Sequence, residues 1–493
     1  MKYTTKIQIA GNDIAFYLTI LLLLSLAVLL MGCSSNPNTA GAPPHADASQ
    51  LQAGVAEIEI TPPIGFRLAG YFNERISTGI HDPLKAKALV LRQGREEFLW
   101  VFCDLVGFSL HVTTNARAFA SRQTGIPLSH IVIAATHSHT GPLFDDVRGD
   151  YFHQTAIEKN GKDPNETVNY PAFLTDQLVK VIIEAHAKVE PAELSVDITT
   201  QAGLPFNRRY HMKNGTVAFN PGILNSNIVG PAGPVDSDVS ILVLKDLKSR
   251  KPIGGLTVFA MHCDTAGGTE ISADYPFFLQ EMLRKQFGPD YVSAFGAGTC
   301  GDLNHVDVSQ RLPYNGFANC ARLGNKIGET IVHDLPNLKT IDRPTLAVKS
   351  TTLTLPLQTA TAEELAEAKA RMPFLEDSRM DFATRVKTVK VLDLERMHSA
   401  QWPMEIQVFR LDSDTAIVCL PAELFVEFGL AIKKASPFKR TSVISICNDR
   451  PAYMPTLKAF QEGSYETINS RLKPGSGEIM VKTAIKLLNE LKP

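Results

Sequence analysis

Ile131-Val132-Ile133-Ala134-Ala135-Thr136-His137-Ser138-His139-Thr140-Gly141-Pro142 reads as a short buried strand that empties into a polar loop. Five apolar residues in a row, with β-branched side chains at the start, suit a strand buried on both faces. Gly141-Pro142 stops it. His137 and His139 therefore sit where the strand ends, the usual place for chemistry in an α/β protein. In extended chain, residues two apart share a face, so both imidazoles can approach one site. By residue type alone the pair fits either a metal site or a hydrogen-bonded structural pair.

Outward from this stretch the pattern alternates between strand and helix. Strands are expected over 55–60, 86–91 and 97–105, the last two joined by the Gln93-Gly94-Arg95 turn. Helical character runs over 112–123 and 174–189, and 203–234, rich in Asn, Gly and Pro, reads as a long ordered loop. Two further strands cover 241–244 and 255–261, and the second ends at His262. Helices follow near 276–286 and 317–333, then strands 406–411 and 415–420, a helix opened by Glu423, and an amphipathic helix over 480–491. No repeat period and no Gly/Ser linker divides the chain. The expected fold is α/β, one large domain over 53–493 with mixed β-sheets flanked by helices.

The chain has 493 residues with 49 Lys+Arg against 51 Asp+Glu, a formal charge of −2, which excludes a basic nucleic-acid binder. Seven cysteines without a CxxC pair argue against a disulfide scaffold or a four-cysteine zinc site. Lys2 and Lys6 precede an apolar run from Ile14 to Met31 that ends in Leu30-Met31-Gly32-Cys33, the pattern of a lipoprotein signal peptide with Cys33 as the lipidated residue. Residues 1–33 are therefore expected to form the leader and lipobox, and 34–52 a disordered tether. A lipid-anchored protein of the bacterial cell envelope follows, on a periplasmic or outer-membrane surface. An uncleaved membrane anchor is the alternative reading of the same run.

The second half-site is Ala260-Met261-His262-Cys263-Asp264, again a histidine at the end of an apolar strand, and the third is Glu423 after a buried strand. Two neutral imidazoles and a carboxylate leave Zn2+ an open position for water, as catalytic sites require. Singly, His262 reads as a core histidine, Glu423 as a helix N-terminal carboxylate, and Tyr453 and Tyr465 as packing aromatics.

Together these segments resemble a family. Thr136-His137-Ser138-His139-Thr140-Gly141-Pro142 is similar to the zinc-binding Thr-His-x-His-Ser-Gly-Pro loop of the neutral/alkaline, non-lysosomal ceramidases. The likeness runs in order through Thr61-Pro62-Pro63-Ile64-Gly65, Asp82-Pro83-Leu84, Asn207-Arg208, His262, Gly301-Asp302, Pro421-Ala422-Glu423 and Tyr453. The resemblance implies Zn2+ held by His137, His262, Glu423 and Tyr453. It further implies His139 as a proton-transfer or orienting residue, Tyr465 as an oxyanion stabiliser, and Arg208 as a contact to the reacting group. Asn207, Asp302 and Asn304 fall to the substrate or to a shell around the site. The substrate class implied is ceramide or a related N-acyl lipid.

Two departures bear on substrate. Where the family carries Gly-Asp-Val-Ser-Pro-Asn, this chain has Gly301-Asp302-Leu303-Asn304-His305-Val306, so Asn304 removes a serine nucleophile and favours attack by zinc-activated water. The chain also stops soon after Tyr465, without the immunoglobulin-like domain that usually follows in the family. Its loop from Asn207 to Pro234 has a polar composition that suits carbohydrate esters, lactones or N-acyl sugars as alternative substrates. A surface-tethered binding protein without catalysis is the reading of a different class.

Overall fold

In β-strands successive side chains face opposite sides, and the core of this protein divides along that period. The computed structural model describes residues 50–493. Cys33, the leader and nearly all of the expected tether lie outside the described residues. The larger sheet has nine strands, of which eight follow in chain order. They are β1 (Gln52–Glu59), β2 (Lys85–Gln93), β3 (Glu96–Cys103), β4 (Ile131–Ala135), β5 (Glu190–Thr200), β6 (Asp238–Asp246), β7 (Pro252–Phe259) and β8 (Val292–Ala297). The ninth, β9 (Lys339–Thr340), pairs with β5. The spatial order is β8-β7-β6-β5-β1-β2-β3-β4. Only β3/β4 and β7/β8 are parallel pairs.

One face of β2–β4 presents Leu89, Leu91, Phe98, Trp100, Phe102, Val132 and Ala134; the other presents Ala88, Val90, Leu99, Val101, Ile131 and Ile133. Four helices cover the second face. They are α1 (Leu110–Thr124), α2 (Tyr170–Ala187), α3 (Tyr275–Phe287) and α4 (Phe317–Asp334). Leu174, Leu178 and Val181 of α2 pack under β2–β4, and Leu279, Leu323 and Ile327 of α3 and α4 pack under β6–β8.

The first face meets a four-stranded sheet of β10 (Ala347–Pro356), β11 (Gln401–Arg410), β12 (Thr415–Cys419) and β13 (Arg440–Ile444). Between β10 and β11 the chain inserts α5 (Ala362–Arg371) and α6 (Phe382–Met397). The outer face of this sheet is covered by α7 (Val426–Ala435) and α8 (Ser476–Leu491), through Phe428, Ile432, Met480, Ala484 and Leu488. The architecture is thus four layers, helix, sheet, sheet, helix, and the α/β expectation of mixed sheets holds. No helix among the described residues is long and apolar enough to cross a membrane.

Three local expectations change. Leu51 is buried and Gln52 already opens β1, so the tether ends before residue 51, because Leu51 packs with Ala53, Leu89 and Leu91. The stretch 203–234 holds a three-stranded antiparallel sheet of Ile228–Pro231, Arg209–Met212 and Val217–Phe219, whose strands are too short to show a period. Glu423 does not open the next helix. It lies in a two-residue parallel ladder with Tyr453, since Ala422 at φ 74° turns the chain away from helical geometry, and α7 begins at Val426.

Candidate active site

The site forms where strands of parallel pairs end at their carboxyl edge. β4 runs into His137 and His139, β7 into His262, and β12 into Glu423, each within four residues of the strand end. His137, His262 and Glu423 are 1%, 0% and 3% exposed, so none of the three is solvated. His139 completes the group: the imidazoles of His137, His139 and His262 bring one nitrogen each within 4.8 Å of one another.

The imidazoles are held by their outer nitrogens. His137 Nδ1 lies 2.7 Å from the Val106 carbonyl, and His262 Nδ1 lies 2.8 Å from the Cys300 carbonyl and 3.0 Å from that of Leu303. A carbonyl only accepts, so Nδ1 carries the proton in both rings and Nε2 is left with its lone pair. Those lone pairs face a carboxylate oxygen: Glu423 Oε2 is 3.2 Å from His137 Nε2 and 3.7 Å from His262 Nε2. His139 Nε2 is 3.4 Å from His137 Nε2.

Neither His262 Nε2 nor Glu423 Oε2 has a hydrogen-bond partner, though both are buried. Acceptors facing acceptors in a dry site repel, at a cost of roughly 1–3 kcal/mol for each unsatisfied group. Burial, with the charges of Arg208 and His137, pushes the His262 imidazole down to about 4, so it does not take a proton at neutral pH. Although burial opposes ionisation, His137, His262 and Arg450 hold the Glu423 carboxyl well below the usual carboxylate range. Two neutral imidazoles and one carboxylate suit a divalent cation of the zinc type, and the residues present fit one.

The backbone aims these groups under strain. His137 itself lies at φ 73°, Ala422 before Glu423 at 74°, Ala452 before Tyr453 at 70° and Ser464 before Tyr465 at 83°. Each is a non-glycine residue in the left-handed region, worth about 1–3 kcal/mol apiece. Glycine is required where the chain passes close by. A Cβ on Gly301 would lie 2.5 Å from the Glu423 carbonyl oxygen, and one on Gly70 (φ 100°) 2.6 Å from His139 Cβ.

Tyr453 stands in ladder register with Glu423, its ring parallel to His262 with centroids 6.4 Å apart. Tyr465 packs against it at 5.3 Å. Burial holds the Tyr453 phenol well above its ordinary value and raises that of Tyr465, so both stay protonated. Both tyrosines, with His137, His139 and Glu423, line a cleft of about 590 Å3 open to solvent.

Asn207, Arg208, Asp302 and Asn304 do not line this cleft; they are buried behind it. Arg208 donates to Glu466 Oε1 at 2.9 Å and to the Gly301 carbonyl at 2.7 Å, and its guanidinium lies 5.4 Å and 5.9 Å from the centroids of Tyr453 and Tyr465. Asn207 donates to Asp302 Oδ2, while Asp302 Oδ1 accepts from Val426 N and so caps α7 just beyond Glu423. Burial raises the Asp302 carboxyl to about 6. Asn304 donates to Asn220 Oδ1 at 3.2 Å and pins the 203–234 segment. The sequence reading missed the ionic lining of the cleft, Asp146, Arg148, Asp393, Arg450 and Arg471. Arg450 had a visible signal, since Asn448-Asp449-Arg450 puts charges three residues before Tyr453 in an otherwise apolar stretch.

Fold and site together define a mixed α/β enzyme of the hydrolase class whose buried histidine and carboxylate cluster opens into a cleft. The profile of "Neutral/alkaline non-lysosomal ceramidase, N-terminal" matches residues 51–306, just over half of the chain. The chain belongs to the neutral/alkaline non-lysosomal ceramidase family. Its fold is similar to that of neutral ceramidase from Pseudomonas aeruginosa, at 18% identity and a TM-score of 0.68, over 90% of this chain and 75% of that one. A ceramidase structure described as complexed with C2 is similar over the same shares, at 17% identity and a TM-score of 0.66. No curated protein matches the chain.

Proposed function

We propose that the protein is a zinc-dependent amidohydrolase that cleaves an N-acyl lipid into a fatty acid and an amine. The observation that carries this reading is the convergence of His137 Nε2, His262 Nε2 and Glu423 Oε2 with no donor among them. In this reading Tyr453 joins them as the fourth ligand. A bound zinc ion acts as a Lewis acid and lowers the pKa of water to about 7.

The remaining steps belong to the chain. His139 is held by Gly70 against its Cβ, by its own N–H on the Cys263 carbonyl at 3.0 Å, and by Arg75 on its carbonyl at 2.6 Å. Burial and the neighbouring His137 keep its imidazole well below its ordinary value, so it is a neutral base that accepts a proton from the attacking water and passes it to the departing nitrogen. Tyr465 Oη accepts from Asn469 Nδ2 at 3.2 Å, which leaves its own O–H to donate to the oxyanion. Arg208 and Asp302 act from behind, as supports of the tyrosines and of the Glu423 segment. Asn304 supports the water mechanism by standing, already hydrogen-bonded, where the family's serine would be.

The test is fatty-acid release from N-acyl amides by the zinc-loaded protein beside His262→Ala. Release that disappears in the variant together with its zinc supports the reading; undiminished release after complete zinc removal overturns it. The lipid anchor is a separate proposal, motivated by Leu30-Met31-Gly32-Cys33. Cys33→Ala is expected to abolish fatty-acid labelling and to free the protein from the membrane fraction; continued labelling would refute it.

A further inference from the structure

The cleft beside the histidines is walled by ions as much as by apolar groups. Its lining includes three cations, Arg148, Arg450 and Arg471, and three carboxylates, Asp146, Asp393 and Glu423. Arg148 is closed on itself: Nε and Nη2 go to Asp146, and Nη1 to the Tyr71 carbonyl. The other two guanidiniums keep donors in hand. Arg450 gives Nη1 to Glu423 Oε1 at 3.1 Å and makes no other side-chain hydrogen bond, its Nε being buried against Gly107 and its Nη2 uncommitted. Arg471 gives Nε to Asp393 at 2.9 Å and Nη1 to Asn469, and its Nη2 is uncommitted.

The three cations and three carboxylates cancel, so a divalent ion on the histidines and Glu423 leaves an excess of two positive charges in the cleft. Behind Arg471, Lys390 donates to Gln358 Oε1 at 2.6 Å, and burial together with the Arg471 charge pushes its ammonium down to about 8. Cations crowd here, and an anion relieves them. Phe72, Tyr453 and Tyr465 give the cleft an aromatic lining, and Phe219 and Phe382 back the Tyr465 ring at 4.8 and 5.2 Å between centroids. An acyl chain suits that lining, whereas the guanidiniums and carboxylates beside it suit a charged group better than a second alkyl chain.

We propose that the amine half of the substrate carries a carboxylate, so that the amide cleaved is that of an N-acyl amino acid, with the carboxylate bound by Arg450 and Arg471. This rests on the amidohydrolase reading above. One carbon separates nitrogen from carboxylate in such a molecule, and Arg450 touches Glu423 directly, so the reach from the reacting bond is short. Paired guanidinium donors are the groups that recognise a carboxylate in two-pronged fashion. The step balances with water alone: water oxygen bonds to the acyl carbon, the carbon–nitrogen bond breaks, one proton goes to nitrogen, and a fatty acid and a free amino acid leave.

The experiment compares three amides of equal acyl length on the full-length, detergent-solubilised, zinc-loaded protein: N-dodecanoylglycine, N-dodecanoylethanolamine and N-dodecanoylsphingosine. The glycine conjugate is expected to exceed the neutral amides in kcat/KM by about 30-fold or more, since a site built for a charged group rejects analogues that leave it unpaired. In the paired variant Arg471→Gln with Asp393→Asn, which leaves no orphaned charge, that preference is expected to fall about tenfold, chiefly through KM. Arg471→Lys is expected to keep part of it, and zinc content and thermal unfolding report the fold of each variant. Equal or faster cleavage of the neutral amides overturns the proposal and leaves the amidohydrolase standing, as does a preference unmoved in the paired variant. No cleavage of any of the three by protein that holds zinc overturns the amidohydrolase reading itself.

Discussion

Two groups of metal-capable side chains lie among the described residues, and they differ in where their protons point. His153, Asp163 and Glu166 gather near the surface, with His153 Nδ1 at 2.9 Å from Asp163 Oδ2 and 2.7 Å from Glu166 Oε2. There the imidazole turns a nitrogen directly to the carboxylates, and Arg67 adds a guanidinium to Asp163, whose side chain is 1% exposed. Donors face acceptors, and the cluster is content as it stands. At His137, His262 and Glu423 the donors are spent on backbone carbonyls and acceptors face one another. Residue type is nearly the same in both groups; the backbone carbonyls that hold His137 Nδ1 and His262 Nδ1 decide which of them needs a cation.

The largest effect expected from this contrast is in metal content. His262→Ala is expected to lose its zinc and more than about 100-fold of its amide hydrolysis, while His153→Ala keeps both within about twofold. Metal analysis after gel filtration, with a fatty-acid assay, checks the pair. Zinc lost from both variants would break the comparison.

A pH experiment sharpens it. In the metal-free protein the His262 imidazole is depressed to about 4, below its ordinary 6.5. Above pH 6.5 both folded and unfolded forms are neutral at this group. As pH falls from 6.5 to 4 the unfolded form takes up a proton that the folded form refuses, so stability is lost over that window, by up to about 3 kcal/mol. Chemical denaturation of metal-free wild type is expected to show the steeper fall, and metal-free His262→Gln the shallower one.

Gly301→Ala tests whether the backbone path is part of the site. Its added methyl meets the Glu423 carbonyl oxygen at 2.5 Å, so a loss of about 1–3 kcal/mol and weaker zinc binding are expected, read by unfolding and by competition with a chelator. The smallest effect belongs to Asn304→Ser, which gives up the bond to Asn220 for about 1 kcal/mol and retains hydrolysis. Faster turnover through a new serine, with zinc removed, would contradict the water mechanism.

The parts of the site that were legible in the sequence are those carried by period. β4 and β7 are continuous apolar strands, each ending at a histidine, and that pattern needs no tertiary information. The ordered motifs that resemble the ceramidase family pointed to Glu423, Tyr453 and Tyr465, which the folded chain brings to one cleft. Illegible were the groups that reach the cleft from elsewhere. Val389 and Asp393 come from α6, a helix inserted between β10 and β11 that no motif marks. Phe72 lies in an irregular segment, and Arg471 follows a short helix at Tyr465–Ile468; neither stands at a distinctive spacing. Asn207, Arg208 and Asp302 were visible as residues, but their burial behind the cleft depends on Glu466, 258 positions from Arg208, and Val426, 124 positions from Asp302.

Ala422, Ala452 and Ser464 hold left-handed backbone just ahead of Glu423, Tyr453 and Tyr465. Glycine at any of them would relieve the strain, about 1–3 kcal/mol, and add back flexibility to the unfolded chain, about 0.5–1 kcal/mol, so the two terms offset each other in large part. Such a change is almost silent in folding and felt only in how firmly the next side chain is aimed. The turns ahead of these three residues are therefore where an enzyme of this design can drift out of catalysis while remaining a well-folded protein.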